Sequence, residues 1–194
     1  MAHVFEEDIS WPSWLYYLSA TVFEFVPFMI RNRFGVSWPR VIKFLSQLRE
    51  DKGAGLPVGV AGFCWGGLHA VTLTHERPDT KASNGMPLAD AFYTAHPSNL
   101  TVPSDIEAIK RPLSIAIGDK DAVMAFGQVQ QAQKILANKS DVDTEVVVYP
   151  GAKHGFAVRA SKAVPDSQET KQSEEAEKQA ISWFQRQFEA AKRR

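Results

Sequence analysis

The sequence holds one cysteine in 194 residues, no excess of either charge, and no apolar run free of proline and acid that is long enough to cross a bilayer. A lone Cys64 cannot close an internal disulfide, so its thiol is left free to react. Lys plus Arg and Asp plus Glu number 22 each, so no global field gathers nucleic acid or an anionic membrane, and a small-molecule partner is expected instead. The richest apolar stretch, Trp11 to Ile30, is broken by Pro12 and Pro27 and carries Glu24. Glu6, Glu7 and Asp8 precede it where a secretion leader needs cations. It is therefore expected to form a buried or partly buried helix with no membrane span, and the chain is expected in the cytoplasm. Asn99-Leu-Thr101 and Asn138-Lys-Ser140 match the glycosylation triplet, but without a leader they count as coincidence.

Apolar residues make up 44% of the chain and charged ones 23%, which suits a folded core and excludes a disordered or fibrous class. Neither repeats nor a low-complexity linker divides it. From Ser37 onward, short apolar runs alternate with longer helical ones. Ser37 is expected to cap a helix whose stripe is Val41, Phe44, Leu45 and Leu48, with Gly53 after its end. Then come a strand Leu56–Ala61, a helix Trp65–His75, a strand Ala89–Ala95, a strand Leu113–Ile117, a helix Ala122–Ala137 and a strand Thr144–Tyr149. A last helix starts at acidic Glu169, Glu174, Glu175 and Glu177 and ends at basic Lys192, Arg193 and Arg194, matching the helix dipole. Its stripe of Ala180, Ile181, Phe184 and Phe188 is expected to cover the sheet. Alternating strands and helices predict an α/β fold with a mostly parallel sheet flanked by helices, whose ligands sit at the carboxyl ends of the strands.

Three motifs fall just after predicted strands. Gly62-Phe63-Cys64-Trp65-Gly66-Gly67 leaves a strand and opens a helix. Such a turn pushes the Cys64 side chain clear of the sheet, aims the helix's positive end at the sulfur, and offers the Trp65 amide to an oxyanion. The plain alternative is a small buried cysteine in a glycine-rich packing contact. Gly118-Asp119-Lys120-Asp121 carries two carboxylates able to orient a histidine; Asp121 is preferred and Asp119 stays open, the other being a turn residue. His154, between Lys153 and Gly155 close to a strand end, is placed as a base. The chain order nucleophile, acid, histidine is that of the α/β-hydrolases.

Around these motifs, His96-Pro97-Ser98 also follows a strand, and His96 is a candidate for substrate contact. Arg159 is a candidate to hold a substrate carboxylate, with a solvated surface arginine as the alternative. His3, His69 and His75 are expected to be structural or exposed. No metal is expected, since no Cys or His partners stand at ligand spacing, and no cofactor is called for.

With Gly-x-Cys-x-Gly-Gly, the Gly-x-x-Asp loop and His-Gly-Phe in place, the chain from about Trp38 onward resembles the dienelactone hydrolases, especially fungal ones. The resemblance implies a single α/β-hydrolase domain over 1–194 that hydrolyses small esters or lactones through a cysteine acyl-enzyme. Arg159 is similar to an arginine that binds the substrate carboxylate in that family. It also implies a departure: family members place several strands before the elbow, whereas residues 1–36 look like an atypical helical segment. The missing strands normally supply a second oxyanion amide and a glutamate that controls the thiol's charge. Without them the strand Leu56–Ala61 is expected at a sheet edge. A homodimer, another partner chain or the N-terminal helix would have to cover it. Two readings follow: a cysteine hydrolase, or a catalytically impaired paralogue that acts as a binding protein. A redox role for Cys64 is weaker, because no resolving cysteine exists.

Overall fold

The computed structural model describes residues 11–160 and 166–193. His3, Glu6, Glu7, Asp8 and Arg194 lie outside them. The chain divides into two compact units, residues 1–41 and 42–194.

In the first unit, α1 spans Trp11–Asn32 and is followed after Arg33 by the start of α2, Phe34–Glu50. The segment Trp11 to Ile30 is helical as expected; of its described side chains Trp11, Tyr16 and Phe23 are 73%, 68% and 82% exposed, while Ser13 and Pro27 are partly buried. No helix among the described residues is long and apolar enough to cross a membrane. Ser37 does not cap α2. The helix starts one turn earlier, where the Phe34 and Trp38 rings stack at 5.1 Å, and the Ser37 hydroxyl donates back to the Arg33 and Phe34 carbonyls.

The second unit is a parallel sheet with helices on both faces, the α/β architecture expected. Its strands are β1 (Gly59–Phe63), β2 (Ala91–Ala95), β3 (Leu113–Lys120) and β4 (Thr144–Lys153), in spatial order β1-β2-β3-β4. Between them run α3 (Trp65–Leu73), the short α4 (Ser104–Glu107) and α5 (Phe126–Ala137); the short α6 (Phe156–Arg159) and α7 (Gln168–Lys192) close the chain. Side-chain alternation sorts β2 onto two faces. Tyr93 donates to the Ala176 carbonyl of α7 at 3.0 Å, while Thr94 lies against Gly67 of α3.

The α7 face holds a core in which Tyr93, Ala95, Ala116, Tyr149, Phe156, Ala176 and Trp183 are buried together. The stripe expected on α7 needs one correction: Ile181 is 48% exposed and Trp183 is fully buried. Trp183 is seven residues after Ala176, two full turns along the same face. Gly59 in β1 makes room for this packing, because a Cβ there would meet the Phe184 ring at 2.7 Å.

At the amino ends of the strands, the buried Arg49 donates to Asp90 at 2.7 Å and to the Leu56 carbonyl at 3.0 Å. Asp90 also accepts from the Val58 amide at 2.8 Å. One carboxylate thus ties the end of α2 to the entries of β1 and β2. β1 begins three residues later than expected, since Leu56 to Val58 serve this clamp. It forms an edge of the sheet, with Gly59, Ala61 and Phe63 exposed.

Candidate active site

β1 ends at Phe63 and α3 starts at Trp65, so Cys64 alone makes the turn. Its backbone sits at φ 50° and ψ −118°, a region costly for a residue with a Cβ. Neighbouring bonds hold it there: the Cys64 amide donates to Ala95 O at 3.2 Å, and its carbonyl accepts from Gly67 and Ser98 amides at 2.9 Å each. Two glycines make the crossing possible. A Cβ on Gly62 would run into the Gly66 carbonyl, and one on Gly67 would lie 2.6 Å from Pro97 Cβ. Gly66 has open space instead.

The sulfur meets His154. Nε2 lies 3.2 Å from Cys64 Sγ, and on the other side of the ring Nδ1 lies 2.9 Å from Asp121 Oδ2 and 3.0 Å from Oδ1. His154 arrives on the turn after β4, which extends to Lys153 where a shorter strand was expected. The Asp121 carboxylate is fully buried and accepts from the Val123 and Met124 amides at 2.8 and 3.2 Å. Asp119 does other work, its Oδ1 accepting from the Gly151 amide at 2.6 Å. Of the two carboxylates in this loop, then, Asp121 reaches the histidine and Asp119 fastens β4.

Burial pushes the Cys64 thiol up, but hydrogen bonds from His154, Ser98 and the Trp65 amide outweigh it and hold the thiol below its ordinary range. The Trp65 amide, expected from the sequence to face an oxyanion, is in this structure directed at the sulfur.

His96 belongs to the site in another way than expected. It is fully buried, at φ 40°, and lies beneath His154 with ring centroids 5.1 Å apart, instead of facing the space before Cys64. Phe63 and Phe156 flank it, and neither ring nitrogen has a hydrogen-bond partner. Burial, then the charge of His154, pushes it down to about 4. The contact made instead from this loop is that of Ser98, 8% exposed, whose Oγ is 3.4 Å from both Cys64 Sγ and His154 Nε2. Its position after a strand was visible in the sequence, but a loop serine has no spacing signature.

Arg159 is exposed at the end of α6, its side chain lying across Gly155, and it lines a cleft of about 170 Å³ with Lys153, His154 and Glu169. His69 is buried against Trp65, and His75 bonds to the Asp105 carbonyl at 2.9 Å. Among the described residues no three His, Cys, Asp or Glu side chains are grouped to hold a metal.

A parallel sheet with a strained strand-to-helix turn at its carboxyl edge, followed in chain order by an acid loop and a histidine turn, is an α/β-hydrolase fold. Solved structures share it: the Lactobacillus plantarum carboxylesterase Cest-2923 aligns with a TM-score of 0.56 at 14% identity over 76% of this chain and 66% of its own. The Pyrococcus furiosus esterase PF2001 gives 0.54 at 17% identity over 76% and 60%. More specifically, the chain belongs to the dienelactone hydrolase family, whose model matches residues 39–188. It is similar to hydrolase tropI of Talaromyces stipitatus, 31% identical over 75% of this chain and 52% of that protein. Hydrolase pyvD of Aspergillus violaceofuscus is 28% identical over 75% and 54%, and the carboxymethylenebutenolidase homolog of Xenopus tropicalis 28% over 74% and 52%. The chain thus spans about half the length of the curated relatives it matches.

Proposed function

We propose that this dienelactone hydrolase family chain is a cysteine-dependent hydrolase of small esters or lactones. The observation that carries the reading is the unbroken contact from Asp121 through His154 to Cys64, at 2.9 and 3.2 Å. In this reading Asp121 fixes the ring with Nδ1 protonated, and Nε2 takes the thiol proton. The thiolate attacks the ester carbonyl, the Trp65 amide steadies the oxyanion, and the leaving alkoxide takes the proton from Nε2. Water then gives a proton to Nε2, attacks the thioester and releases the acid. Arg159, beside His154, is assigned to a substrate carboxylate. A working thiol suits a reducing compartment, so the cytoplasm is the proposed location.

One observation favours a second reading. Among the described residues β1 lies at the sheet edge with no strand paired to its outer side, and the Trp65 amide is the single oxyanion donor assigned. A second copy or another partner that covers this edge makes the chain an interaction protein, with or without turnover.

Burst-phase hydrolysis of an activated aryl ester separates the two. Wild-type protein is expected to release near-stoichiometric product in the first turnover, and Cys64→Ala, folded by circular dichroism, none. A burst that survives in Cys64→Ala removes the thiol from the chemistry. No burst from well-folded wild type favours the interaction protein.

A further inference from the structure

Cys64 Sγ, His154 Nε2 and Ser98 Oγ form a closed triangle with sides of 3.2, 3.4 and 3.4 Å. The backbone of the third corner is tied to the nucleophile. The Ser98 amide donates to the Cys64 carbonyl at 2.9 Å and the Cys64 amide to Ala95 O at 3.2 Å, so the 95–98 segment is fastened to the nucleophile from both sides. The hydroxyl is shielded from water, with Ser98 only 8% exposed. It has one proton to give. A thiolate is a far better acceptor than a thiol or a thioester sulfur, because a hydrogen bond to a charged group is about twice as strong.

We propose that Ser98 is a catalytic residue of this site, its hydroxyl donating to the Cys64 thiolate and keeping the nucleophile charged while His154 holds the proton. The assignment rests on the reading of Cys64 and His154 as the reacting pair. Once Nε2 has taken the thiol proton, the sulfur's electron pair accepts from Nε2–H, from Ser98 O–H and from the Trp65 amide. When the sulfur attacks, the S–C bond forms and the carbonyl π pair moves to oxygen. That oxygen's pair then returns, the C–O bond breaks, and the leaving oxygen takes the proton from Nε2. The Ser98 hydroxyl has now lost its charged acceptor and turns to the freed Nε2 lone pair, until water arrives there. Breakdown of the thioester restores the thiolate, and the hydroxyl returns to it.

The groups facing the sulfur are His154 with Asp121 behind it, the Trp65 amide, and Ser98. Among the described residues, His96 lies beneath His154, and Lys153, Arg159 and Glu169 line the cleft beside it; burial, then the charge of His154, pushes His96 down to about 4.

The test is thiolate absorbance at 240 nm against pH, with iodoacetamide alkylation rates, on the whole chain as wild type, Ser98→Ala and Ser98→Thr. Ser98→Ala is expected to raise the midpoint by about one unit. Alkylation below both midpoints is expected to slow by about three-fold, because the rarer thiolate is also the more basic one. Ser98→Thr, which keeps the hydroxyl, is expected to stay near wild type; Ser98→Gly repeats the Ala reading if that variant folds poorly. An unmoved midpoint in the variants without a hydroxyl, or a Thr variant displaced as far as Ala, overturns the role. Alkylation reads the thiol whether or not esters are cleaved. A displaced midpoint without an ester burst therefore sinks the hydrolase reading alone, and a burst with an unmoved midpoint sinks Ser98 alone.

Discussion

The two ends of the sheet put their polar groups to different uses. At the amino end, Arg49 and Asp90 are close-paired and the carboxylate also takes up the Val58 amide, although Arg49 Nε and Arg111 Nε there have no partner. At the carboxyl end, Cys64 and His96 hold positive φ angles and both His96 ring nitrogens go without partners. One end spends its polar contacts on fixing strand entries. The other keeps strained backbone at Cys64 and His96 and an unpartnered imidazole next to the sulfur, a combination that persists only because the surrounding packing over-determines it. The difference teaches where stability and reactivity reside in a small unit: each has its own end of the same four strands.

Asp90→Ala attacks the settled end and has the largest expected effect. It leaves the Arg49 charge buried without its partner, and denaturant unfolding should show a loss of about 3–5 kcal/mol. Thiol reactivity of the remaining folded protein should stay at the wild-type level. A loss under 1 kcal/mol would mean that the clamp is incidental.

His96 comes next, and it probes the strained end by pH. Its folded value, about 4, lies below the ordinary 6.5 of a histidine, so between these two the unfolded chain binds the extra proton. Stability is therefore full above pH 6.5 and drains as pH falls toward 4, by of the order of 3 kcal/mol. His96→Leu should flatten that slope in melts run from pH 7 to 4; an equal slope in both proteins would show that other groups carry it. The smallest effect is a matched pair at the elbow. Gly67→Ala, pressed against Pro97, should cost about 1–3 kcal/mol. Gly66→Ala, with open space and a helix to favour it, should leave the melting temperature unchanged or slightly raised. Equal costs would place the strain elsewhere.

The same contrast explains what could be read from sequence. The order of strands and helices and the positions of Cys64, Asp121 and His154 were legible, because each is announced by a local pattern: an apolar run, then a turn with few permitted residues. Ser98 was not, since its contacts come from β2 ending beside β1 and nothing in a Pro-Ser pair encodes that. His96 was noticed for its chemistry but given a place in the mouth of the site, where burial instead sets it underneath. The start of α2 was placed at Ser37 by its capping preference. A Phe34–Trp38 stack prevailed, a pairing of i and i+4 that outweighs one side-chain oxygen. On α7, a face drawn through Ile181 missed Trp183 because two adjacent apolar faces compete there, and only the sheet decides between them.

The parallel ladder pairs Phe63 with Ala95 and Ala95 with Ala116, and the turns that carry Cys64 and Ser98 leave from these rungs. The spacing of sulfur, hydroxyl and imidazole is thus measured across the chain, rung by rung, and not along it. Residues added to the returns at the far end, such as the stretch from Asn138 to Asp143 before β4, lengthen the thread without moving the ruler. A longer return keeps the same spacing at the site, whereas a single residue gained within a strand would turn every side chain beyond it to the wrong face.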